Sequence, residues 1–450
     1  MVQKSRQLEL PFESWGEAPG IDRSGQASTA TRGNERPGTS TLLEEALAPT
    51  NVQRALKRVR KNKGSPGIDG MTVDELPRWL SEHWSSTREH LLAGTYQPSA
   101  VRQVSIPKPG GGERKLGIPT VLDRLIQQTL LQVLQPRFDP TFSEHSHGFR
   151  PRRRAHGAIR EARQYVEDGK RWVVDVDVEK FFDRVNHDVL MGRLERRIED
   201  RRVLRLIRRY LNAGILADGV VVQRYEGTPQ GGPLSPLLAN VLLDEIDQEL
   251  ERRGHAFVRY ADDLRVFVGS QRAGERVMRS LVRLLAKLRL RVNESKSAVA
   301  PAEQRPFLGL RLWTYRGELR LGVAPNALAA MKDRVRALTR RIRGRSLQQV
   351  VDDLRSYLLG WQNYFGIAKS PWLFTNLDRW IRHRLRAYQL KQWKAWKTIY
   401  RETRKLGLTK QQAKSVAAQA GHWWAGSHRY LNRALPNAHF DSLGLPRLSG

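Results

Sequence analysis

The sequence predicts an α+β fold, and three observations support this prediction. Residues 171–270 contain segments in the order strand–helix, strand–helix and hairpin, with apolar alternation in the strands. From Asn326 to about Lys405 the apolar residues recur almost throughout at helical spacing, with many Arg and Trp residues among them. No internal repeat of the solenoid kind is present, so the chain is not an array of identical units.

The first part of the chain contains a low-complexity segment, helices and one hairpin. Residues 1–40 are rich in Gly, Ser, Thr, Pro and charge, which predicts disorder. Apolar residues at helical spacing follow from Thr41 until Gly64, where the turn-forming sequence GSPGIDG begins. Residues 101–119 predict two short strands joined by a Gly-rich turn with basic residues at its tip, and a helix follows from about Val121 to Leu134.

Three segments in the middle of the chain position the polar residues considered below. RWVVDVDVEKFFD predicts a strand that runs into a helix. VVVQRYEGTPQGGPLSPLLANVLLDEIDQEL predicts a strand, a Gly/Pro turn and a long helix. HAFVRYADDLRVFVGS predicts a hairpin with YADD at its bend, after which helices alternate with strands until about Leu321.

The charge balance favours a polyanionic partner. The chain has 78 Lys and Arg residues against 46 Asp and Glu residues, a formal net charge of +32 that is spread along the whole sequence. Such an excess attracts nucleic acid, whereas no lipidation signal, signal peptide or apolar run of membrane-spanning length suggests a membrane. The chain has no cysteine, which fits a reducing cytoplasm and excludes cysteine zinc sites.

Three aspartates are candidate ligands of a divalent cation. Asp262 and Asp263 lie together at the predicted hairpin bend, and Asp177 ends the strand VVDVDV. Alternation along each strand places Asp177 and Asp262 on one side of a sheet, and paired carboxylates of this kind hold the two Mg²⁺ ions used in nucleotidyl transfer. Asp175 is a rival candidate, because side chains two residues apart on a strand point to the same face. For Asp262 and Asp263 the alternative is a turn, because an adjacent Asp pair alone more often forms a turn than a metal site.

The order of the motifs resembles the reverse transcriptases, specifically the branch encoded by group II introns, over roughly residues 45–440. The motifs that carry the resemblance are GSPGIDG, SIPKPGGGERKLGIPT, SHGFRPRRRAH, DVDVEKFFDRVNH, GTPQGGPLSPLLANVLLDEID, RYADD, LRLRVNESKS and FLGL. The resemblance implies a right-hand polymerase fold: fingers, a palm whose four-stranded antiparallel sheet carries the aspartates, and a thumb of three helices. It implies an RNA-directed DNA polymerase that uses two Mg²⁺ ions, with Mn²⁺ as a substitute.

The resemblance also assigns roles to individual residues. It implies that Asp177 and Asp262 hold the metal ions together with the Val178 carbonyl, while Asp263 completes the acidic cluster. Phe182 matches a ring that excludes the 2′-hydroxyl of ribonucleotides, although a plain core aromatic is the alternative. The remaining residues implied to contact the nucleotide are Lys108 and Arg114 at the hairpin, the backbone of Lys180 and Phe181, Gln230, and Lys296 as a candidate general acid. Gly231 and Gly232 are predicted to allow close approach of the backbone to the ligand.

The division into domains follows from the same resemblance. We predict a disordered segment (1–40), fingers with an N-terminal extension (41–171), the palm (172–322), a helical thumb or maturase domain (323–405) and a short basic C-terminal region (406–450). Within the helical module Trp361, Tyr364 and Phe365 are predicted core residues, and an exposed Trp or Tyr could stack on an unpaired base. The C-terminal region is predicted to be DNA-contacting or structural.

The resemblance implies partners and a biological role. The expected partners are a group II intron RNA, an RNA template with its DNA primer, target DNA and dNTPs, with a homodimer left open. The expected role is to assist splicing and intron mobility in the bacterial cytoplasm, in association with the nucleoid when bound to DNA. No nuclease domain with paired cysteines is apparent, so another source of primer is expected. The rival interpretations are a domesticated free-standing reverse transcriptase in repair or phage defence, and an RNA-binding splicing cofactor without polymerase activity.

Overall fold

The computed structural model describes most of the chain and divides it into two compact units between Ala302 and Glu303. The predicted disordered segment, Lys108 and Gln230 lie outside the described residues, so the predictions for them are not tested. The described residues are 41–107, 112–217, 220–222, 225–228, 231–341, 344–418, 421, 424, 427 and 431–450.

Helices account for most of the first unit and provide the layer that covers its central sheet. The described helices are α1 (Leu42–Ala46), α2 (Pro49–Lys61), α3 (Leu76–Leu92), α4 (Val121–Phe138), α5 (Ala155–Glu167), α6 (His187–Leu194), α7 (Arg201–Asn212), α8 (Ser235–Arg252) and α9 (Gln271–Lys287). The predicted helix after Val121 is therefore confirmed. Its start is fixed by Thr120, whose hydroxyl accepts a hydrogen bond from the Asp123 amide at 3.1 Å.

The strands of the first unit form two sheets. They are β1 (Val101–Pro107), β2 (Glu113–Ile118), β3 (Trp172–Val176), β4 (Ile215–Ala217), β5 (Val220–Val222), β6 (Ala256–Tyr260), β7 (Asp263–Val268) and β8 (Ala298–Pro301). One sheet has the order β2-β1-β4-β5, and its β1–β2 hairpin confirms the hairpin predicted for residues 101–119. The other has the order β6-β7-β3-β8 with antiparallel pairs throughout, which confirms the predicted four-stranded antiparallel sheet.

The largest hydrophobic core of the first unit lies between this antiparallel sheet and its helices. Helix α8 contributes a nearly continuous buried face, including Leu238, Leu242 and Ile246. Val174 and Val266 come from the adjacent strands β3 and β7 and pack in the same core. Each fully buried aliphatic side chain contributes about 1.5–3 kcal/mol relative to an exposed one, so the sheet that carries the aspartates is firmly supported from one side.

Two local predictions differ from the observed structure. The helical stretch after Thr41 is two helices, because Pro49 cannot continue an interior hydrogen-bond ladder and instead occupies the first position of α2. The strand β3 does not run directly into a helix. A short 3₁₀ turn at Phe181–Asp183 follows it, and α6 starts only at His187. The 3₁₀ turn keeps Lys180–Phe182 at the edge of the sheet rather than on a regular helix.

The second unit combines one hairpin with helices. Its described elements are β9 (Leu310–Tyr315), β10 (Glu318–Val323), α10 (Pro325–Leu338), α11 (Leu347–Phe365), α12 (Pro371–Trp393), α13 (Trp396–Lys405), α14 (Lys410–Ala418), α15 (Leu431–Ala434) and α16 (Asn437–Ser442). Ser346 and Gln349 form a capping box at the start of α11. Within the described residues no helix is long and apolar enough to cross a membrane.

Candidate functional site

Two of the predicted aspartates meet at one end of the antiparallel sheet. Tyr260 pairs with Asp263, so Ala261 and Asp262 form the bend between β6 and β7. The last residue pair between β3 and β7 is Val176 with Leu264, and Asp177 follows directly after it beside that bend. Burial raises the pKa of the Asp262 carboxyl, and the nearby Asp177 charge raises it further. The predicted hairpin therefore brings two like charges together.

The segment after β3 is fixed by residues that precede β8. The Asp177 amide donates to the Ser297 hydroxyl at 2.9 Å, and the Asn293 amide donates to the Asp177 carbonyl at 2.8 Å. The Asn293 side-chain amide also donates to the Asp177 carboxylate at 3.0 Å. These contacts orient a carboxylate that stays 43% exposed. Asn293 and Ser297 were not among the predicted site residues, although both lie in or beside the NESKS motif that predicted Lys296.

The Val178 carbonyl does not take part in the hydrogen bonds that join its segment to the segment around Val292. Val178 forms an antiparallel bridge with Val292, but the two hydrogen bonds of this bridge come from the flanking residues. The Glu179 amide donates to Arg291 and the Asp177 carbonyl accepts from Asn293. This geometry is compatible with the predicted use of the Val178 carbonyl as a metal ligand.

Asp263 and Asp175 belong to a different electrostatic group from Asp177. Arg265, on β7, lies with Nη2 3.3 Å from the Asp175 carboxylate and with Nε 3.6 Å from that of Asp263. Burial raises the pKa of Asp263 to about 6, and the Asp175 and Asp262 charges add to this while Arg265 opposes it. Only 12% of the Asp175 side chain is exposed. Of the two rival candidates, Asp177 is therefore the more exposed, and its role as a ligand stays a prediction. A lone Arg in the apolar strand LRVFV was the signal for this pairing.

Two predicted cations face the aspartates. Lys296 Nζ lies 3.5 Å from the Asp177 carboxylate, and its side chain is 65% exposed. Arg114, exposed on β2, is near enough to lower the pKa of Asp262 against the effect of burial. Positive groups close to a carboxylate pair suit a ligand that carries its own negative charge, such as a nucleoside triphosphate.

Phe182 is the predicted gate residue, the ring expected to exclude the 2′-hydroxyl of ribonucleotides. It lies at the edge of the core rather than within it. Lys180 adopts the left-handed conformation (φ 47°), and the 3₁₀ turn that follows directs Phe181 and Phe182 differently. Phe181 is buried, whereas Phe182 is half-buried and contacts the Phe181 ring edge-on at 5.1 Å between centroids. The Phe182 carbonyl accepts from the Thr228 amide at 2.7 Å. A half-buried ring on the turn that follows the Asp177 strand is compatible with exclusion of a 2′-hydroxyl, and this role stays a prediction.

The glycines after Gln230 are packed against protein. A side chain at Gly231, which has a positive φ of 138°, would lie 2.6 Å from the Gly117 carbonyl oxygen. A side chain at Gly232 would lie 2.4 Å from the Gln127 side-chain oxygen. Gly231 therefore needs glycine, because its φ is positive and a backbone oxygen approaches it closely, whereas a side chain at Gly232 would require the Gln127 side chain to shift. Their predicted approach to a ligand stays untested.

The donor set at the sheet end fits Mg²⁺ in kind. Asp177, Asp262 and the Val178 carbonyl offer oxygen atoms only, which is the preference of this hard cation. Burial chiefly raises the pKa of Asp262 and repulsion from Asp177 adds to it, and a cation between the carboxylates would relieve that repulsion. Among the residues that the structure describes, no three acidic or histidine side chains are already arranged to hold a metal ion. The predicted metal ligands Asp177, Val178 and Asp262 therefore stay a prediction.

Aromatic and basic side chains alternate on the second unit. Trp361 is buried against Phe374, which confirms it as a core residue, and Tyr364 is half-buried with its hydroxyl bonded to the Leu308 carbonyl at 2.9 Å. Trp372 is 79% exposed. The Arg320 guanidinium lies 4.7 Å from the centre of the Tyr315 ring on the β9–β10 hairpin. Such Arg–aromatic surfaces can bind phosphates and stack on bases.

The C-terminal region makes specific contacts with α12 inside the second unit. The Asp378 carboxylate accepts from the amides of Leu448 and Ser449 at 3.0 Å each. Arg382, buried on the same helix, donates to Asp441 at 2.6 Å. These contacts give the tail a structural role, while the predicted contact with DNA stays a prediction.

Comparison with known proteins agrees with this geometry. Residues 106–312 match the model of the reverse transcriptase (RNA-dependent DNA polymerase) family, and residues 328–407 match that of the group II intron maturase-specific domain. Protein YkfC of Escherichia coli is 34% identical over 325 residues, which are 62% of this chain and 85% of that protein. The group II intron-encoded protein LtrA of Lactococcus lactis is 37% identical over 208 residues, which are 46% of this chain and 34% of that protein.

Proposed function

Because the chain belongs to the reverse transcriptases that carry a group II intron maturase-specific domain, we propose that it is an active RNA-templated DNA polymerase that also binds intron RNA. One observation carries the proposal of activity. Asp177 and Asp262 lie at the same end of the antiparallel sheet and influence each other electrostatically, with Lys296 3.5 Å from Asp177 and Arg114 near enough to act on Asp262. A protein that only bound RNA would need no such pair of repelling carboxylates.

The proposed reaction joins the primer 3′-oxygen to the α-phosphorus of a dNTP. The bond between the α-phosphorus and its bridging oxygen breaks, pyrophosphate leaves, and the 3′-hydroxyl loses its proton. Asp177, Asp262 and the Val178 carbonyl would hold two Mg²⁺ ions, which supply activation of the hydroxyl and stabilisation of the leaving group when bound. Mn²⁺, with similar ligand preferences, is the proposed substitute.

The side chains around the carboxylates have distinct proposed tasks. Arg114 and Lys108 bind the triphosphate from the hairpin, and the backbone of Lys180 and Phe181 donates to it. Lys296 is exposed and 3.5 Å from Asp177, so it is our candidate for protonating the departing pyrophosphate. In addition, Gln230 contacts the incoming nucleotide, Phe182 excludes a 2′-hydroxyl and Asp263 supports the acidic cluster.

The second proposed activity is binding of a group II intron RNA to assist its splicing and mobility. The net charge of +32 and the exposed Arg–aromatic surface of the second unit support RNA binding. The proposed partners also include an RNA template with its DNA primer, and target DNA, which places the protein with the nucleoid in the bacterial cytoplasm. Of the rival roles, the free-standing reverse transcriptase shares the same polymerase site, and the cofactor without activity does not need it.

Primer extension on an RNA template with dNTPs and Mg²⁺ tests the polymerase directly. We expect the wild type to extend the primer and Asp262→Ala to abolish extension, because one of two metal-binding carboxylates is lost. Asp74→Ala is the matched control, since the Asp74 side chain is 84% exposed and lies 3.8 Å from Arg60 away from the sheet end. RNA binding is measured on the same preparations. Binding without extension by the folded wild type would overturn the polymerase and favour the splicing cofactor.

A further inference from the structure

The segment His145–Arg150 is a rigid part of the first unit that the proposed reaction does not use directly. The buried Arg150 side chain donates to the Ser146 carbonyl at 3.0 Å and to the Asp139 carbonyl and carboxylate at 2.8 Å each. The His147 amide donates to the Arg259 carbonyl at 2.8 Å, so the segment is also tied to strand β6. These bonds fix the backbone on both sides of Gly148 and Phe149.

Gly148 packs directly on the bend that carries Asp262. A side chain at position 148 would lie 2.1 Å from the Ala261 amide nitrogen and 2.9 Å from the Ala261 Cα atom. The Gly148 carbonyl accepts from the Asn240 side chain at 3.0 Å. Asn240 accepts in turn from Arg259 at 2.9 Å, and Arg259 donates to the Ala261 carbonyl at 2.8 Å. One buried network therefore holds both the segment and the bend.

Phe149 extends from this fixed point towards the predicted gate. Its φ of 60° lies in the left-handed region, which an aromatic residue rarely adopts and which persists only where the surroundings enforce it. Its ring meets the Phe182 ring edge-on, with 6.3 Å between the centroids and 69° between the planes. Phe182 is thus braced by Phe181 on one side and by Phe149 on another, while its carbonyl is held by Thr228.

We propose that Phe149 is a positioning residue that holds the Phe182 ring in place and thereby sets the selection of deoxyribonucleotides over ribonucleotides. This inference rests on the proposed polymerase function and extends it to a residue that does not touch the substrate. The Phe182 backbone is fixed, so the ring can escape a 2′-hydroxyl only by rotating. The edge of Phe149 limits this rotation, and Gly148 sets where that edge lies relative to Asp262.

The test compares kcat/KM for a dNTP and for the matching rNTP, using the full-length chain. Phe149→Leu removes the ring contact but keeps an apolar side chain. An aromatic edge contact is worth about 0.5–1.5 kcal/mol, so we expect the dNTP preference to fall about 2- to 10-fold. Most of the change should be a lower KM for the rNTP. Phe149→Tyr, which keeps the ring, should preserve the preference.

Phe138→Leu is the matched control, because Phe138 is a buried ring of the core against which Phe182 packs, but it contacts Phe142 instead of Phe182. Phe149→Met serves as a second removal of the ring if the Leu variant fails to fold, as judged by thermal unfolding. An unchanged preference in a folded Leu or Met variant, or an equal loss in Phe138→Leu, overturns the inference. Failure of the wild type to extend with dNTPs is a different result, which overturns the proposed polymerase.

Discussion

The buried cluster of Arg259, Asp247 and Asn240 and the carboxylate pair of Asp177 and Asp262 are neighbours, but they balance charge in opposite ways. Arg259 and Asp247 are at most 1% exposed and carry opposite charges, joined by hydrogen bonds of 2.8 and 2.9 Å from Arg259 Nε. The carboxylate pair carries like charges and remains partly open. The charge of Asp247 is matched by a buried partner inside the protein, whereas the two carboxylates at the sheet end repel each other and, within the described part of the chain, have only the exposed Lys296 as an ion-pair partner on Asp177.

The largest expected effect comes from a substitution in the carboxylate pair. Asp262→Asn should lower primer extension by on the order of 10³-fold, because one of the carboxylates proposed to bind metal becomes a neutral amide. The same change should not lower the melting temperature of the metal-free protein, because the fold raises the pKa of Asp262 and so disfavours its charged form. Both quantities are measured on one preparation by extension kinetics and thermal unfolding. A markedly lower melting temperature would contradict the assignment of Asp262 as a residue kept for function.

The second largest effect, on the free energy of unfolding, comes from a substitution in the buried pair of Arg259 and Asp247. Asp247→Asn leaves the Arg259 charge buried without its partner, so we expect the free energy of unfolding to fall by about 3–5 kcal/mol. Urea unfolding followed by circular dichroism measures this change. Glu249→Gln is the control on the same helix, because Glu249 pairs with Arg252 and Arg253 at the surface and should hardly affect stability. An equal loss of unfolding free energy in the two variants would show that the buried pair stabilises the fold no more than the surface pair does.

The smallest effect concerns Asp263, which has Arg265 nearby as in an ion pair but also the like charges of Asp175 and Asp262. Its folded pKa of about 6 exceeds its ordinary value of 3.8, so the folded protein binds the extra proton and loses stability as the pH rises from about 4 to 6. Asp263→Asn removes this loss. Because 39% of the side chain is exposed, we expect only about 1 kcal/mol.

The pH effect is measured as the stability of Asp263→Asn relative to the wild type, in metal-free buffer. This difference should grow in favour of the variant between pH 4 and 6 and stay constant above that range. A difference that is independent of pH would mean that the Asp263 carboxyl titrates at its ordinary pKa in the folded protein.

Local patterns were sufficient to predict the elements that carry the aspartates. Apolar alternation on both sides of YADD predicted the β6–β7 hairpin and its bend, and the run VVDVDV predicted β3. The order of motifs then predicted the antiparallel sheet in which these strands meet. Pairs that depend on distant partners were not predictable in this way. The parallel pairing of β1 with β4, for example, joins Val101 with Ile215 and leaves no local signal.

The limits at the candidate site have the same cause. Side-chain alternation along the strand placed Asp175 and Asp177 on one face, and only their partners on neighbouring segments distinguish them. Arg265 engages Asp175, whereas Asn293 and Ser297 orient the backbone and carboxylate of Asp177. The close approach of Gly148 to Ala261 was equally hidden, because a glycine in a loop is usually needed for its own backbone conformation.

The contacts of Asp177 with residues before β8 also determine when the carboxylate pair can form during synthesis. The β6–β7 hairpin closes locally, but the bond from Asp177 to Ser297 spans 120 residues, and β3 also pairs with β8 at Pro301. Closing a long loop costs entropy, so such contacts form later than a hairpin. A nascent chain that has emerged from the ribosome past Asp262 but not as far as Asn293 therefore has Asp262 at its bend but lacks Asn293 and Ser297, the anchors of Asp177. In the first unit, the end of the sheet that carries Asp177 and Asp262 is therefore completed last.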